Sequence, residues 1–225
     1  MKFSIITIFP EAFSYLNQSI LWKAQEKKLI EIEIFNLRDF STNKHHKVDD
    51  SPYWWEQGMV MMCQPFFDCI EEIKKNSKYK KQYVIYPSPR WENLTQKKLE
   101  KLAEFWKNSD KKDDVEIIIL AWRYEWVDQR IIDNLVNEEI CVWEYILTWW
   151  EIPAMILIDW ISRLIPWVIW KEKSHIEESF SEAFDWKKEY PIYTKPEDFR
   201  GLKVPEVLIS GHHWKIKEWK KNNLK

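Results

Sequence analysis

Glycine is nearly missing from this chain, with 3 residues in 225. An ordinary globular domain carries about 7%, or roughly 16 in a chain of this length. No G-x-G-x-x-G fingerprint and no P-loop can be found, which argues against a Rossmann dinucleotide site or a nucleoside-triphosphate site. Cysteine is scarce as well. Cys63, Cys69 and Cys141 are odd in number and form no C-x-x-C pair, so neither a disulfide framework nor a cysteine-based zinc site is expected. A reducing, cytoplasmic setting fits better. Lys and Arg number 34 against 36 Asp and Glu, a net charge of −2. No global basic field announces nucleic acid, and any RNA contact has to rest on local patches. Long uncharged apolar runs are lacking too. Ile152 to Ile169 is interrupted by Pro153, Asp159, Arg163 and Pro166 and reads as a buried helix, not a membrane span. The opening MKFSIITIFPEAF has neither the long apolar region nor the small-residue cleavage site of a signal peptide.

Tryptophan, by contrast, is abundant, with 16 residues. An indole buries about 150–250 Å² and belongs in a core or an interface. Here many indoles fall in polar or turn-like stretches: PYWWEQG, SPRWEN, RYEWVD and TWWE. Such places call for a residue that tolerates positive φ or close backbone approach, which is the use of glycine. The tryptophan surplus roughly matches the glycine deficit. The remaining composition, 45% apolar and 31% charged, is that of a soluble globular protein with ample core for one large or two small domains.

The apolar run Phe3 to Ile8 reads as a buried strand. Pro10 to Lys27 follows with helical spacing at Phe13, Leu16, Ile20, Leu21 and Ala24 and a proline in its first turn. Ile30 to Phe35 alternates and gives a second strand. Strand, helix, strand implies a βαβ unit and a parallel sheet, hence an α/β fold. Residues 36 to 65 form a polar loop running into a Met-rich helix start, and Pro65 to Lys75 has helical spacing. Tyr83 to Tyr86 is a strand ending at PSPRW, the kind of turn where α/β folds bind ligands. Thr95 to Trp106 reads as a helix with a Thr cap, residues 107 to 114 as a charged surface turn, and Val115 to Ala121 as the strongest buried strand. Glu151 to Ile165 reads as another helix. The adjacent His45 and His46 would point different ways on any regular element, so a loop is expected there and no metal site.

Two stretches organise the rest: IILAWRYEWVDQR from Ile118, and EICVWEYILTWWEIPAM up to Met155. With Trp read as Gly at positions 122, 126, 143, 149 and 150, they resemble the core of the bacterial tRNA (guanine-37-N1)-methyltransferases, knotted enzymes of the SPOUT superfamily. That family shows GRYEG-[IV]-D-x-R and then Gly-[DE]-Y-[VI]-L-[ST]-G-G-E-x-P-A. The resemblance extends to the RDF…VDDSPY loop, to the SP turn at Ser88 and Pro89, to SRLIP with Arg163, to HIEESF, and to VPEVLISGHH. It covers nearly the whole chain. It departs at Glu56 and Gln57, where the family has Gly-Pro, and at Glu178, where the family has Asp.

The resemblance implies a parallel sheet with a deep C-terminal trefoil knot and a small, mostly helical C-terminal domain. Residues 1–169 would hold the cofactor, 170–177 would be a linker, and 178–225 would bind tRNA. The chain ends at Lys225, shorter than the family norm, so the last domain is expected to be truncated. The cofactor implied is S-adenosylmethionine. Its site would be lined by Tyr86, Ser88 and Pro89; by Trp122, Tyr124 and Glu125; and by Val142, Trp143, Glu144, Tyr145, Ile146, Leu147, Thr148, Trp149, Trp150 and Pro153. Glu178 would be the general base and Arg163 its electrostatic partner, with Asp50, His46, Lys215 and Lys217 contacting a tRNA that carries guanosine at position 37. The family works as a homodimer and needs no membrane and no metal. The resemblance also gives the misplaced indoles a cause. Some bacterial lineages read UGA as glycine, and a translation that reads it as Trp would write tryptophan at Trp22, Trp54, Trp55, Trp91, Trp122, Trp126, Trp143, Trp149, Trp150, Trp167 and Trp170. Trp219 is a family tryptophan, and Trp106, Trp160, Trp186 and Trp214 stay open. The alternatives are a non-catalytic RNA-binding relative, or a knotted methyltransferase acting on another base.

Overall fold

A computed structural model describes residues 1–53, 58–90, 93–100, 115–144, 146–169 and 177–225. The chain forms two compact units, Met1–Trp170 and Lys171–Lys225. The first is built on a five-stranded parallel sheet of β1 (Lys2–Thr7), β2 (Glu31–Asn36), β5 (Lys81–Pro87), β6 (Val115–Leu120) and β8 (Glu138–Ile140), in the order β2-β1-β6-β5-β8. Every residue of β1 and β6 is buried. A parallel sheet covered on both faces demands such continuous apolar runs, which is why FSII and EIIIL were legible as strands.

The pleat sends alternate residues to opposite cores. Phe3, Ile5, Ile117 and Ile119 pack against Phe13, Leu16, Leu21, Leu157 and Ile161, from Pro10–Asn17, α1 (Ser19–Glu26) and α4 (Glu151–Arg163). On the opposite side, Ile6, Ile118 and Leu120 pack against Phe66, Ile70, Ile131 and Ile132, from α2 (Cys63–Asn76) and α3 (Gln129–Leu135). One charge lies inside β6. The Glu116 carboxylate is wholly buried and accepts from the Ser4 and Ser77 hydroxyls, with the Lys2 ammonium at 2.9 Å. A buried carboxylate is tolerable when every lone pair finds a donor or a counter-charge.

Two sequence expectations change. The helix over residues 10 to 27 is two pieces: a 3-10 helix at Pro10–Asn17, then α1, separated by extended Gln18, with α1 opening on left-handed Ser19 at φ 51°. Phe13 and Leu16 are three apart, which matches the three-residue turn of a 3-10 helix, and the break lets Leu21 and Ala24 reach the same core. The Met-rich stretch is not a helix start. Val60–Met61 is a strand, β4, paired with β3 (Asp49–Asp50) and with β7 (Trp126–Val127), and α2 begins only at Cys63. Of the expected helix at 95 to 106, residues 96–100 are helical, and 101–114 lie outside the described residues. No helix among the described residues is long and apolar enough to cross a membrane.

Asp128 caps α3. Its carboxylate accepts from the Arg130 backbone N–H at 3.0 Å and from the Arg130 guanidinium at 2.9 and 2.7 Å. Those bonds hold its carboxyl well below the usual carboxylate range. A depressed folded pKa supplies stability that is present above the unfolded value, about 3.9, and is lost as pH falls toward the folded one. Asp128→Ala is therefore expected to cost about 0.5–2 kcal/mol at neutral pH. In urea titrations the gap between parent and variant should close as pH drops below that unfolded value.

The second unit has less helix than the sequence suggests. It holds a short hairpin, β9 (Asp198–Phe199) with β10 (Leu202–Lys203), then α5 (Glu206–Ile209) and α6 (His213–Asn222), with residues 187–197 non-helical. Its small aromatic cluster sets Trp219 edge-on to Tyr190 at 6.5 Å.

Candidate active site

Three segments meet at the carboxyl ends of β5, β6 and β8, and backbone bonds hold them together. The Ser88 N–H donates to the Ile140 carbonyl at 2.9 Å, and the Leu94 N–H to the Cys141 carbonyl at 2.7 Å. Asn93 forms a parallel bridge with Cys141, and its side-chain amide donates to Glu144 at 2.6 Å. Arg123 reaches from the end of β6 to the Thr148 carbonyl, with its guanidinium 4.2 Å from the Trp149 ring and 4.8 Å from Phe9. These bonds and ring contacts join Ser88 to Ile140, Glu144 to Asn93, Thr148 to Arg123, and Tyr86 and Trp150 to Trp122; Pro89, Val142 and Leu147 lie on the same segments. Tyr145 lies outside the described residues, and Trp143 and Ile146 are exposed.

The centre of this region is filled by indoles. Trp122 and Trp150 are buried and stack at 4.6 Å with 17° between their planes, and Tyr86 lies 5.5 Å from Trp122. The Trp122 indole N–H donates to the Pro87 carbonyl at 2.7 Å. A flat bicycle with one N–H donor, stacked among rings and bonded to a backbone carbonyl, therefore fits this cradle. With tryptophan at 122 and 150, the two indoles fill this cradle themselves.

The small sheet carries two further groups of candidates to the rim. β3 holds Asp50 and β7 follows Tyr124 and Glu125, with β4 between them. The Arg123 N–H donates to the Met61 sulfur at 3.1 Å. Gly58 sits at φ 128°, and a Cβ there would lie 2.4 Å from the Glu125 Oε2 and 3.2 Å from its Cβ. Gly58→Ala should therefore lower stability by about 1–3 kcal/mol and push Glu125 off its position. An unchanged denaturation midpoint would show that this close approach does not exist in solution.

Thr7, Arg38, Gly58, Arg123 and Glu151 make contacts around these segments that sequence reasoning did not single out. Glu151, read only as a helix start, is wholly buried. One oxygen accepts from the Thr7 hydroxyl at 3.0 Å, and its Oε2 has no hydrogen-bond partner among the described residues. Burial pushes its carboxyl up. The available signal was its place directly after the indole pair in TWWE, in a turn that packs against β1.

The profile of a family described as "tRNA (Guanine-1)-methyltransferase TrmD" matches residues 1–225. A Clostridioides difficile protein called tRNA (guanine-N(1)-)-methyltransferase is 47% identical over 222 residues, covering 98% of this chain and 91% of its own. Proteins of the same name from Ruminiclostridium cellulolyticum and Bacillus subtilis are 44% and 42% identical, over 98% of this chain and 89% and 86% of theirs. The chain belongs to this family.

Within the family frame, the remaining candidates divide between the two units. Arg163 is the last residue of α4, in the first unit, and is half-buried. Glu178 opens a turn of the second unit. Its carbonyl accepts from the Ser181 N–H at 3.1 Å, while Phe180 adopts φ 66°. Glu178 is half-buried and Glu177 exposed. Lys215 and Lys217 stand exposed on α6, with the Lys215 ammonium over the Trp214 ring at 5.5 Å. His45 and His46 are exposed, and no metal-binding group of His, Cys, Asp or Glu occurs among the described residues. Trp167 and Trp186 both adopt the left-handed region, φ 71° and 62°, where a bulky residue is a genuine outlier.

Proposed function

We propose that this protein transfers the methyl group of S-adenosylmethionine to N1 of guanine 37 in tRNA, as a cytoplasmic homodimer whose C-terminal sheet loops form a trefoil knot. The observation that carries the reading is the meeting of residues 87–90 and 93–94, 121–126, and 141–144 with 146–150 around one flat cradle, which suits the adenine of the donor. The relatives' shared name supplies the guanine and the tRNA. Two isoleucines one turn apart on α4, Ile152 and Ile156, are 43% and 40% exposed. Asp159, three residues beyond Ile156 on the same helix, accepts from the Tyr15 phenol at 2.5 Å. An exposed apolar face of this kind suits a partner copy.

Bound S-adenosylmethionine would supply an electrophilic methyl group on a sulfonium. Tyr86, the Pro87 carbonyl and the 122–126 and 142–150 segments would hold it. Burial pushes the Tyr86 phenol up, so its ring stays neutral against the donor. Guanine N1 carries a proton and is a poor nucleophile until that proton leaves. The Glu178 carboxylate takes it as general base. The Arg163 guanidinium stabilises the negative charge that builds toward O6. Asp50 and His46 contact the RNA near the target base, and Lys215 and Lys217 contact phosphate.

The reading includes glycine, encoded by UGA, at the tryptophans named above, and the left-handed φ of Trp186 adds that position. The stacked pair Trp122 and Trp150 favours a second reading if those indoles are authentic: an RNA-binding relative whose donor site is filled by its own side chains. The gene decides between them. UGG at positions 122, 149 and 150 would rule out the glycine reading. Transfer of labelled methyl from S-adenosylmethionine to a guanine-37 transcript, and not to one with adenine there, tests the activity.

A further inference from the structure

The turn from Thr148 to Trp150 ends the proposed donor segment and runs straight into α4. With glycine at 149 and 150 it has almost no side chain of its own to hold it. Its position is then set from its two ends. At the first, the Thr148 carbonyl accepts from the Arg123 guanidinium. At the second, Glu151 opens α4 and is wholly buried. The Glu151 Oε1 accepts from the Thr7 hydroxyl at 3.0 Å, and that hydroxyl accepts in turn from the Phe9 N–H at 3.0 Å. Thr7 is the last residue of β1, so one side-chain bond fastens this end of the turn to the sheet.

The other oxygen of the carboxyl is unmatched. The Glu151 Oε2 is buried without a donor among the described residues, and none of their ion pairs includes Glu151. Glu116 differs: both its oxygens accept hydroxyl protons and Lys2 lies alongside. A buried charge without such partners is costly, and the neutral acid is far less so. Burial is the largest influence on Glu151 and pushes its carboxyl up. Glu11, on the 3-10 helix, adds to this, while the Thr7 hydroxyl and the Arg123 charge pull the other way.

We infer that Glu151 is a positioning residue for the donor: as a neutral carboxyl bonded to Thr7, it pegs residues 148–150 to the end of β1 and so keeps one wall of the donor site in place. The inference rests on the proposed methyl transfer, which is what makes this turn a donor wall. An ionised Glu151 needs water at Oε2, and water reaches that oxygen when the turn leaves β1. The donor favours the closed turn, and with it the neutral carboxyl. Donor affinity is therefore full below the folded pKa of Glu151 and is lost as pH rises through it. That window lies above the ordinary glutamate value of about 4.3.

The test uses the chain with glycine at the proposed positions and S-adenosylhomocysteine as a donor analogue. Calorimetric titrations run from about pH 5 to about pH 8, where folded proteins are generally most stable. In the parent, affinity should fall about tenfold across that range, or 1.4 kcal/mol. Glu151→Gln cannot ionise, and its amide oxygen still accepts from Thr7. It should match the parent at the acidic end and keep that affinity at the alkaline end. Thr7→Val removes the hydroxyl at nearly the same shape and should weaken the analogue about tenfold at the acidic end. Thr7→Ser should restore it. Urea titrations of the same variants identify a merely structural role: lowered midpoints with parental affinity and a parental pH profile overturn the inference. So does a Glu151→Gln variant that loses affinity with pH as the parent does. A parent that binds the analogue equally at every pH overturns this inference alone. A parent that binds none at any pH overturns the donor reading, and this one with it.

Discussion

Glu178→Gln, placed in the chain carrying glycine at the proposed positions, is expected to lower single-turnover methyl transfer to a guanine-37 tRNA by about 10²–10⁴-fold, the usual contribution of a positioned general base. Affinity for S-adenosylmethionine should barely change, because the proposed role of the carboxylate is on the guanine. Glu178→Asp should keep part of the rate. The backbone at this position is set by the turn from Glu178 to Ser181, with Phe180 left-handed, so the shorter side chain starts from the same place and falls short by one methylene. Glu177→Gln is the control, since Glu177 is its exposed neighbour. A slow Glu177→Gln beside a normal Glu178→Gln would move the base by one residue. If neither variant is slow, Glu178 is not the base, and Asp50 becomes the next residue to replace.

The second large effect is on donor binding. Titration calorimetry should detect S-adenosylmethionine binding to the chain with glycine at positions 122 and 150, and little or none to the chain with tryptophan there. The two indoles are buried against one another and against Tyr86. Forcing a nucleoside in beside them is an overpacking of about 1–3 kcal/mol at each position, or roughly 30- to 10⁴-fold in affinity at 1.4 kcal/mol per tenfold. The Pro87 carbonyl adds to this, because the Trp122 N–H already occupies it. Equal affinity in the two chains would mean that the cradle does not hold the adenosine.

The sheet was legible from residues alone because its strands are buried on both faces. Phe3 to Ile6 and Ile117 to Leu120 have no polar alternation to confuse them with anything else. The candidate site could be named only through the resemblance, since S-Pro turns and Tyr-Glu pairs carry no period. The short strands β3, β4 and β7 escaped because two residues are too few to show alternation. Their pairing is set by contacts between segments some 65 residues apart, such as Val60 with Trp126. Arg38 escaped for the same reason. Its bonds to His46 form only once the irregular loop between them has folded back. Glu151 was visible as a residue but not as a buried one, since a glutamate opening a helix ordinarily faces solvent.

The pairing of β1 with β6 has a consequence during synthesis. Lys2 lies opposite Glu116, so the strand made first is completed by one made more than a hundred residues later. At about 5–20 residues per second, the nascent chain carries Phe3, Ile5 and Ile6 for roughly 6–20 seconds with β2 as the one neighbour already available. An apolar strand left with an open edge for that long is a template for pairing with another chain. The exposed edge of the N-terminal strand is therefore closed only when β6 is made.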